Sequence, residues 1–295
     1  MLRFGGPTFF SSSTAAEAGT SHSEAGIDPH LIVKKLKEKR YTAAYAPQIR
    51  ISQTDEIREI RRIFEAADIM LAEVGYWENL LDTEQTERQK NRDRLTEALA
   101  VADALGACCS IDILGSYCHG NGNSEHSGEN FSDDAFEEAV EIARSCIDGA
   151  KPKTAFFVYE IFSFNILDSP QGIARLVRAV DRKQFGVHMD LVNLINCPRN
   201  YFNSAAIIQR SVDLFGNRII SAHAKDIKLR EPAISVILEE VRPGLGGLDI
   251  AAYLKALSNL PHTVPLLMEH LENEQEYDLA AAYIRRVAGD EGIVL

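Results

Sequence analysis

The sequence predicts an α/β fold built as a single closed (β/α)8 barrel, and three observations carry that expectation. Strand-like and helix-like segments alternate along most of the 295 residues, the order expected when helices cover a sheet of parallel strands. The strand-like runs are short and almost purely apolar, as strands buried on both faces require. No linker rich in Pro, Gly or Ser divides the chain, and eight strand-plus-helix units without a break suit a closed barrel better than an open sheet. The G-x-G-x-x-G that opens many doubly wound sheets is also missing after the first strand. Residues 1–295 are therefore expected to form one domain.

Each element has its own justification. Leu2 to Phe4 is an initial strand, and Tyr41 to Ala46 is a short apolar-aromatic run ending at Pro47. Asp55 to Ala67 places Ile57, Ile60, Ile63 and Phe64 at helical spacing, with Thr54 or Asp55 as its N-cap. Ile69 to Val74 reads as a strand, and Glu84 to Leu105 as a long amphipathic helix ended by Gly106. Cys108 to Leu114 is a strand, Tyr117 to Asn130 a polar loop, and Asp133 to Gly149 a helix opened by Ser132 or Asp133. The strands Ala155 to Ile161, Phe185 to Asp190, Arg218 to His223 and Pro265 to Glu269 follow. Their helices are Pro170 to Val180, Ser204 to Phe215, Leu248 to Leu257 and Glu274 to Val287.

Composition bounds the function. A hydrophobic share of 45% with 25% charged residues is ordinary for a globular protein and excludes a disordered or fibrous chain. The 31 Lys and Arg against 43 Asp and Glu give a net charge of −12, which disfavours a protein that grips nucleic-acid phosphates. The first residues carry no export signal, and no run approaches the roughly 18 apolar residues of a membrane span. Five cysteines (Cys108, Cys109, Cys118, Cys146 and Cys197) include no C-x-x-C, so neither a disulfide framework nor a thiolate zinc site is expected. A cytoplasmic protein that binds neither nucleic acid nor membrane is the expectation.

Four of the strand-like runs end in strong metal-binding residue types: Glu160, Asp190, His223 and Glu269. They succeed one another at intervals of 30, 33 and 46 residues, one β/α unit each. The C-terminal ends of all strands in a barrel converge on one face, where active sites are built, so these four are expected to meet. Three carboxylates and an imidazole suit one divalent cation such as Mn²⁺, Mg²⁺, Co²⁺ or Zn²⁺. A lone acidic residue at a strand end is more often a solvated loop residue or a helix cap. Several carboxylates in register, each after an apolar run, would be costly to bury without a cation.

Side chains two apart on a strand share a face, so His188 accompanies Asp190, and Lys225 accompanies His223 with Asp226 next in the run HAKD. His188 would contact substrate, orient a metal ligand, or serve as a hydrogen-bonded interior histidine. Lys225 would contact a substrate oxygen or phosphate, the alternative being an ion pair with Asp226 or Glu231. Trp77, after the third strand, suits the apolar face of a sugar ring, or a core or lid position. Tyr117 and His119, in GSYCHGNG after the fourth strand, would reach substrate hydroxyls or lie in a surface loop. Cys118 beside His119 makes no nucleophile–base pair. The glycines of RPGLGGLD suit a tight turn feeding a helix capped by Asp249.

Glu160 at the end of AFFVYE, Asp190 in GVHMD, His223 in ISAHAKD, the later GLGGLD and Glu269 in PLLME together resemble the sugar phosphate isomerase/epimerase family, the xylose isomerase-like TIM barrels. The motifs lie between about residues 155 and 290, with only the general rhythm before that. The resemblance implies one divalent metal, manganese favoured, held by Glu160, Asp190, His223 and Glu269. It implies proton transfer by Glu160 and Glu269, the role that ketose epimerases of this group give their two glutamates. It also implies a small-molecule sugar or sugar phosphate as substrate, and a homo-oligomer, since relatives often form dimers or tetramers. Two positions depart from the pattern. Asn193 stands where many relatives have a His three residues after the Asp, and is read as a substrate contact. Leu229, followed by Arg230, stands where epimerases often have an Arg, so the residues that grip the substrate are expected to differ.

The expected activity is a metal-dependent isomerisation or epimerisation of a sugar or sugar phosphate, by proton transfer beside a carbonyl through an enediolate. Three alternatives share the barrel. An endonuclease-like enzyme would gather three zinc ions with further histidines. A dehydratase or hydrolase of sugar acids would use one metal, and a non-catalytic relative would only bind sugar.

Overall fold

The computed structural model of the chain describes residues 1–9, 28–122 and 125–295. The predicted barrel is present. Parallel strands β1 (Leu2–Gly5), β2 (Ala43–Tyr45), β3 (Met70–Gly75), β4 (Cys109–Asp112), β5 (Phe156–Glu160), β6 (Phe185–Asp190) and β7 (Ile219–Ala224) lie in sequence order around it. An antiparallel hairpin, β8 (Asp226–Leu229) and β9 (Leu238–Val241), follows β7. The last strand, β10 (Val264–Met268), closes the ring between β7 and β1.

The main helices of the outer layer are α1 (Pro29–Glu38), α2 (Thr54–Ala67), α3 (Gln85–Leu105), α4 (Asp133–Ala150), α5 (Pro170–Val180), α6 (Ser204–Phe215), α7 (Ile250–Ser258) and α8 (Glu274–Asp290). Their starts follow capping chemistry. Ser132 accepts the Ala135 N–H, Ser169 accepts the Gly172 N–H ahead of Pro170, and Asp249 accepts the Ala252 N–H. Gly106, at φ 74°, ends α3. Helix α2 begins one residue earlier than expected, so Thr54 and Asp55 lie in its first turn rather than at its cap. There the Asp55 and Glu56 carboxylates meet the positive end of the helix dipole. Helix α1 and the β8–β9 hairpin have no counterpart in the sequence reading.

The main core lies between strands and helices. Phe157, Tyr159 and Phe185 meet there with ring centroids 4.7–6.1 Å apart, and the Tyr159 hydroxyl donates to Ala139 O at 3.1 Å. Two smaller apolar clusters built from strand residues fill the barrel interior. One joins Ala43, Ala72 and Leu267; the other joins Cys109, Ile111, Val158 and Ile220, with Trp77 packed on it. Two slips in strand pairing shape this interior. Ala44 pairs with Leu71 but Tyr45 with Glu73, and Val187 pairs with Ile219 but His188 with Ser221. The extra residue on each longer strand, Ala72 or Ile220, joins the interior, and so does the residue after it. That is how Glu73 and Ser221 come to face inward, toward His223 and His188 respectively.

No helix among the described residues is long and apolar enough to cross a membrane. All five cysteines are free.

Candidate metal centre

Glu160 ends β5, Asp190 ends β6, His223 sits one residue before the end of β7, and Glu269 directly follows β10. Pairing brings them level, with Asp190 opposite His223 and His223 opposite Leu267. One ligand-capable atom from each of the four lies within 4.8 Å of the others, and all four residues are buried. Helix α7 supports the group from outside, where the Tyr253 hydroxyl donates to Met189 O at 2.7 Å, next to Asp190.

The ligand-capable atoms of the cluster are close together and charge-paired. His223 Nδ1 lies 2.6 Å from Glu269 Oε1 and 3.6 Å from Glu160 Oε1. Neither His223 Nδ1 nor Glu269 Oε1 has a partner in hydrogen-bond geometry, although both are buried. They nonetheless lie close enough to interact as charges, and Lys225 also touches Glu269 Oε1. A donor set of three carboxylates and one imidazole nitrogen fits a divalent cation well. The other ring nitrogen of His223, Nε2, lies 3.2 Å from Glu73 Oε1. With a metal bound at Nδ1, that carboxylate would hold the remaining ring proton on Nε2.

The charges are strongly coupled. Burial pushes the Glu160 carboxyl up to about 8, with the Glu269 charge adding to it and His223 opposing. Burial acts on Glu269 in the same sense, but His223 and Lys225 outweigh it and hold that carboxyl well below its ordinary value. Burial also disfavours charge on His223, and is outweighed by Glu269, Glu73 and Glu160, which raise that imidazole well above its usual range. His188 is lowered well below its ordinary value by burial and by the neighbouring His223.

The remaining sequence candidates fall into two groups. Asn193, Lys225 and His188 join the centre. The Asn193 amide donates to Ile161 O at 2.9 Å and to Asp190 Oδ2 at 3.0 Å, and lies 3.5 Å from Glu160 Oε1, so it braces two of the carboxylates. Lys225 Nζ lies 2.7 Å from Asp190 Oδ2 and touches Glu269 Oε1. His188 is fully buried beneath, with its ring 3.9 Å from that of His223 and Nδ1 2.7 Å from the Ser221 hydroxyl.

The others are occupied elsewhere. The Asp226 carboxylate accepts backbone N–H groups from Ile227, Gly244, Gly246 and Leu248 at 2.9–3.1 Å, so it staples the base of the hairpin to the glycine loop. A Cβ at Gly246 would stand 2.2 Å from Asp226 Oδ1, which explains the glycine. The Tyr117 hydroxyl donates to Glu138 Oε2 at 2.7 Å, and His119 Nδ1 lies 3.1 Å from Asp82 Oδ1 on an exposed side chain. Trp77 packs on the interior cluster and against Gly75.

Three residues at the centre escaped the sequence reading. Glu73 is a charge inside the apolar run IMLAEV, the same signal that marks Glu160 and Glu269, but it precedes the strand's end. His270, with φ 57°, places Nδ1 3.3 Å from Lys225 Nζ and 3.1 Å from Glu240 Oε1. Glu240 belongs to β9, for which the sequence offers no strand-like apolar run.

No curated protein matches the chain by sequence. Solved structures do resemble it. A xylose isomerase domain protein from Planctomyces limnophilus shares 18% identity over 99% of this chain and 98% of its own, with a TM-score of 0.65. A xylose isomerase-like TIM barrel protein from Mycobacterium smegmatis, solved in complex with magnesium, shares 16% identity over 90% of each chain at a TM-score of 0.63. D-Psicose 3-epimerase from Clostridium cellulolyticum H10, solved with D-tagatose, shares 15% identity over 91% of this chain and 95% of its own at a TM-score of 0.64. At these identities the likeness is one of fold. A family model described as xylose isomerase-like TIM barrel matches residues 26–287, nearly the whole sequence, and the chain belongs to that family.

Proposed function

We propose that this protein is a divalent-metal-dependent isomerase or epimerase of a sugar or sugar phosphate, with Glu160, Asp190, His223 and Glu269 as the metal ligands. The observation that carries the reading is the buried cluster itself, in which three carboxylates and one imidazole each bring a ligand-capable atom within 4.8 Å of the others. Mn²⁺ is the first ion to test, beside Mg²⁺, Co²⁺ and Zn²⁺. The magnesium-bound family member and the ketose epimerase of the same fold support this chemistry.

Bound there, the cation would polarise a substrate carbonyl and stabilise the negative charge that develops on its oxygen. The chain's own residues would do the rest. Glu160 and Glu269 come from β5 and β10, which are separated in the barrel by β6 and β7, so they approach the centre from different sides. One carboxylate takes the proton beside the carbonyl and the other returns one to the opposite face, which inverts that carbon. Used on one face alone, the same transfer moves the carbonyl along the sugar. Asn193 holds the Glu160 and Asp190 carboxylates in place, and Glu73 holds the His223 ring. Of the loop candidates, His119 is exposed after β4 and could meet a substrate, whereas Tyr117 and Trp77 would have to leave Glu138 and the interior cluster to do so.

The test loads the purified protein with Mn²⁺ and screens ketoses, aldoses, inositols and their phosphates for exchange of a carbon-bound proton with deuterium from solvent. Exchange beside a carbonyl supports the reading, and Glu269→Gln should abolish it while leaving most metal binding. Full exchange in that variant removes the two-glutamate mechanism. Three tightly bound zinc ions per chain would point to endonuclease-like chemistry instead.

A further inference from the structure

Lys225 occupies an unusual place. Its side chain is only 3% exposed, and its ammonium lies 2.7 Å from Asp190 Oδ2 and in contact with Glu269 Oε1. These are the oxygens a cation needs. Asp190 Oδ1 accepts the Val192 N–H at 3.0 Å, while Oδ2 faces Lys225 and also accepts the Asn193 amide at 3.0 Å, and Glu269 Oε1 lies between Lys225 and His223 Nδ1. An ammonium and a divalent ion on the same two oxygens repel each other by several kcal/mol, so the two compete there. The lysine must yield, and a buried ammonium can yield only to another acceptor. Glu240 Oε2 stands 3.9 Å from Lys225 Nζ, and Glu240 Oε1 is held 3.1 Å from His270 Nδ1. No other carboxylate outside the four proposed ligands forms an ion pair with Lys225 among the described residues.

We propose that Lys225 is a built-in cation that competes with the divalent ion for Asp190 and Glu269, and that Glu240 on the β8–β9 hairpin receives it when the ion enters. The inference rests on the metal reading above. Without metal, Lys225 neutralises part of the acidic shell and keeps it folded. With metal, the same ammonium moves to the rim of the centre and ties the hairpin to it. Glu240 therefore sets metal affinity without touching the metal, as a positioning residue acting through Lys225.

The experiment is a Mn²⁺ titration followed by calorimetry on the metal-stripped full chain, wild type against Lys225→Met, Glu240→Gln and the double variant. Lys225→Met should bind Mn²⁺ roughly tenfold tighter or more, and Glu240→Gln several-fold more weakly, within the usual range of coupling between sites. In the Lys225→Met background the Glu240→Gln effect should vanish, since its means of action is gone. Persistence of the full Glu240→Gln effect there would reduce Glu240 to a simple electrostatic contributor and overturn the proposal. Weaker or unchanged binding in Lys225→Met overturns it as well. Lys225→Gln replaces the Met variant should that fail to fold, and the exposed Glu240 can be tested alone, where unchanged affinity would also be decisive. Failure of the wild type to bind Mn²⁺, Mg²⁺, Co²⁺ or Zn²⁺ defeats the metal reading itself; binding without the Lys225 effect defeats only this inference.

Discussion

Glu73 Oε1 lies 3.2 Å from Nε2 of His223, on the side of the imidazole away from Glu269 and Glu160. A metal-bound histidine is usually oriented in this way by a carboxylate on its far nitrogen. Glu73→Gln keeps the shape but removes the charge that fixes the proton on Nε2. Mn²⁺ affinity measured by calorimetry should fall about 10- to 100-fold. An affinity equal to wild type would mean that the pairing merely satisfies the buried ring.

Metal removal should cost stability. A ligand that binds only the folded state at 100 times its Kd contributes about 2.7 kcal/mol. For a chain of this size that corresponds to a fall in Tm of roughly 5–10 °C after dialysis against a chelator. Calorimetric scans with and without Mn²⁺ check this, and identical melting curves would contradict a tight site.

Asp226 should matter for folding of the hairpin rather than for catalysis. Asp226→Asn replaces a charged acceptor of four N–H bonds with an amide that brings its own donors. A loss of about 2–3 kcal/mol is expected, the range for hydrogen bonds to charged groups. Gly246→Ala should cost a similar amount by overpacking, about 1–3 kcal/mol. Denaturant melts give the loss, and a stable Asp226→Asn with abolished turnover would return Asp226 to the substrate.

Acid stability should depend on Asp103. Its Oδ1, in the last turns of α3, accepts the N–H groups of Lys153, Thr154 and Ala155 at 2.7–3.0 Å and the Thr154 hydroxyl at 3.0 Å. Burial disfavours its charge, but these bonds outweigh burial and hold the carboxyl below its usual range. The unfolded chain therefore takes up this proton at higher pH than the folded one. The contribution is fully present above the ordinary carboxylate range and is lost as pH falls through the lowered folded value. Asp103→Ala should flatten the acid limb of stability against pH and cost about 1–3 kcal/mol near neutrality. Parallel acid limbs in urea melts would rule this out.

Much of the fold is legible in the sequence because the physics of a parallel barrel is local. Runs such as FFVYE and FGVHMD are buried on both faces, so a polar residue stands out wherever one is tolerated, and Glu160 and Asp190 stand out at the ends. Glu73 is harder to place, because a strict alternation of two does not anticipate the pairing slip that sends both Ala72 and Glu73 inward. The hairpin is illegible for a different reason. DIKL and LEEV are largely polar, and only Ile227 and Leu238 pack on the core, while Asp226 and backbone amides hold the rest. Asp226 and Lys225 are neighbours in the chain, yet one anchors a loop and the other enters the cluster. Residue type alone does not separate those fates.

The staple at Asp226 gives the hairpin the independence of a replaceable part. One carboxylate fixes its base to the loop before α7, while the barrel strands on either side are fixed by their own pairing. Residues between 229 and 238 can therefore change in length or composition without shifting β7 or β10. Such an arrangement uncouples the length of the hairpin from the register of the strands that carry Asp190, His223 and Glu269.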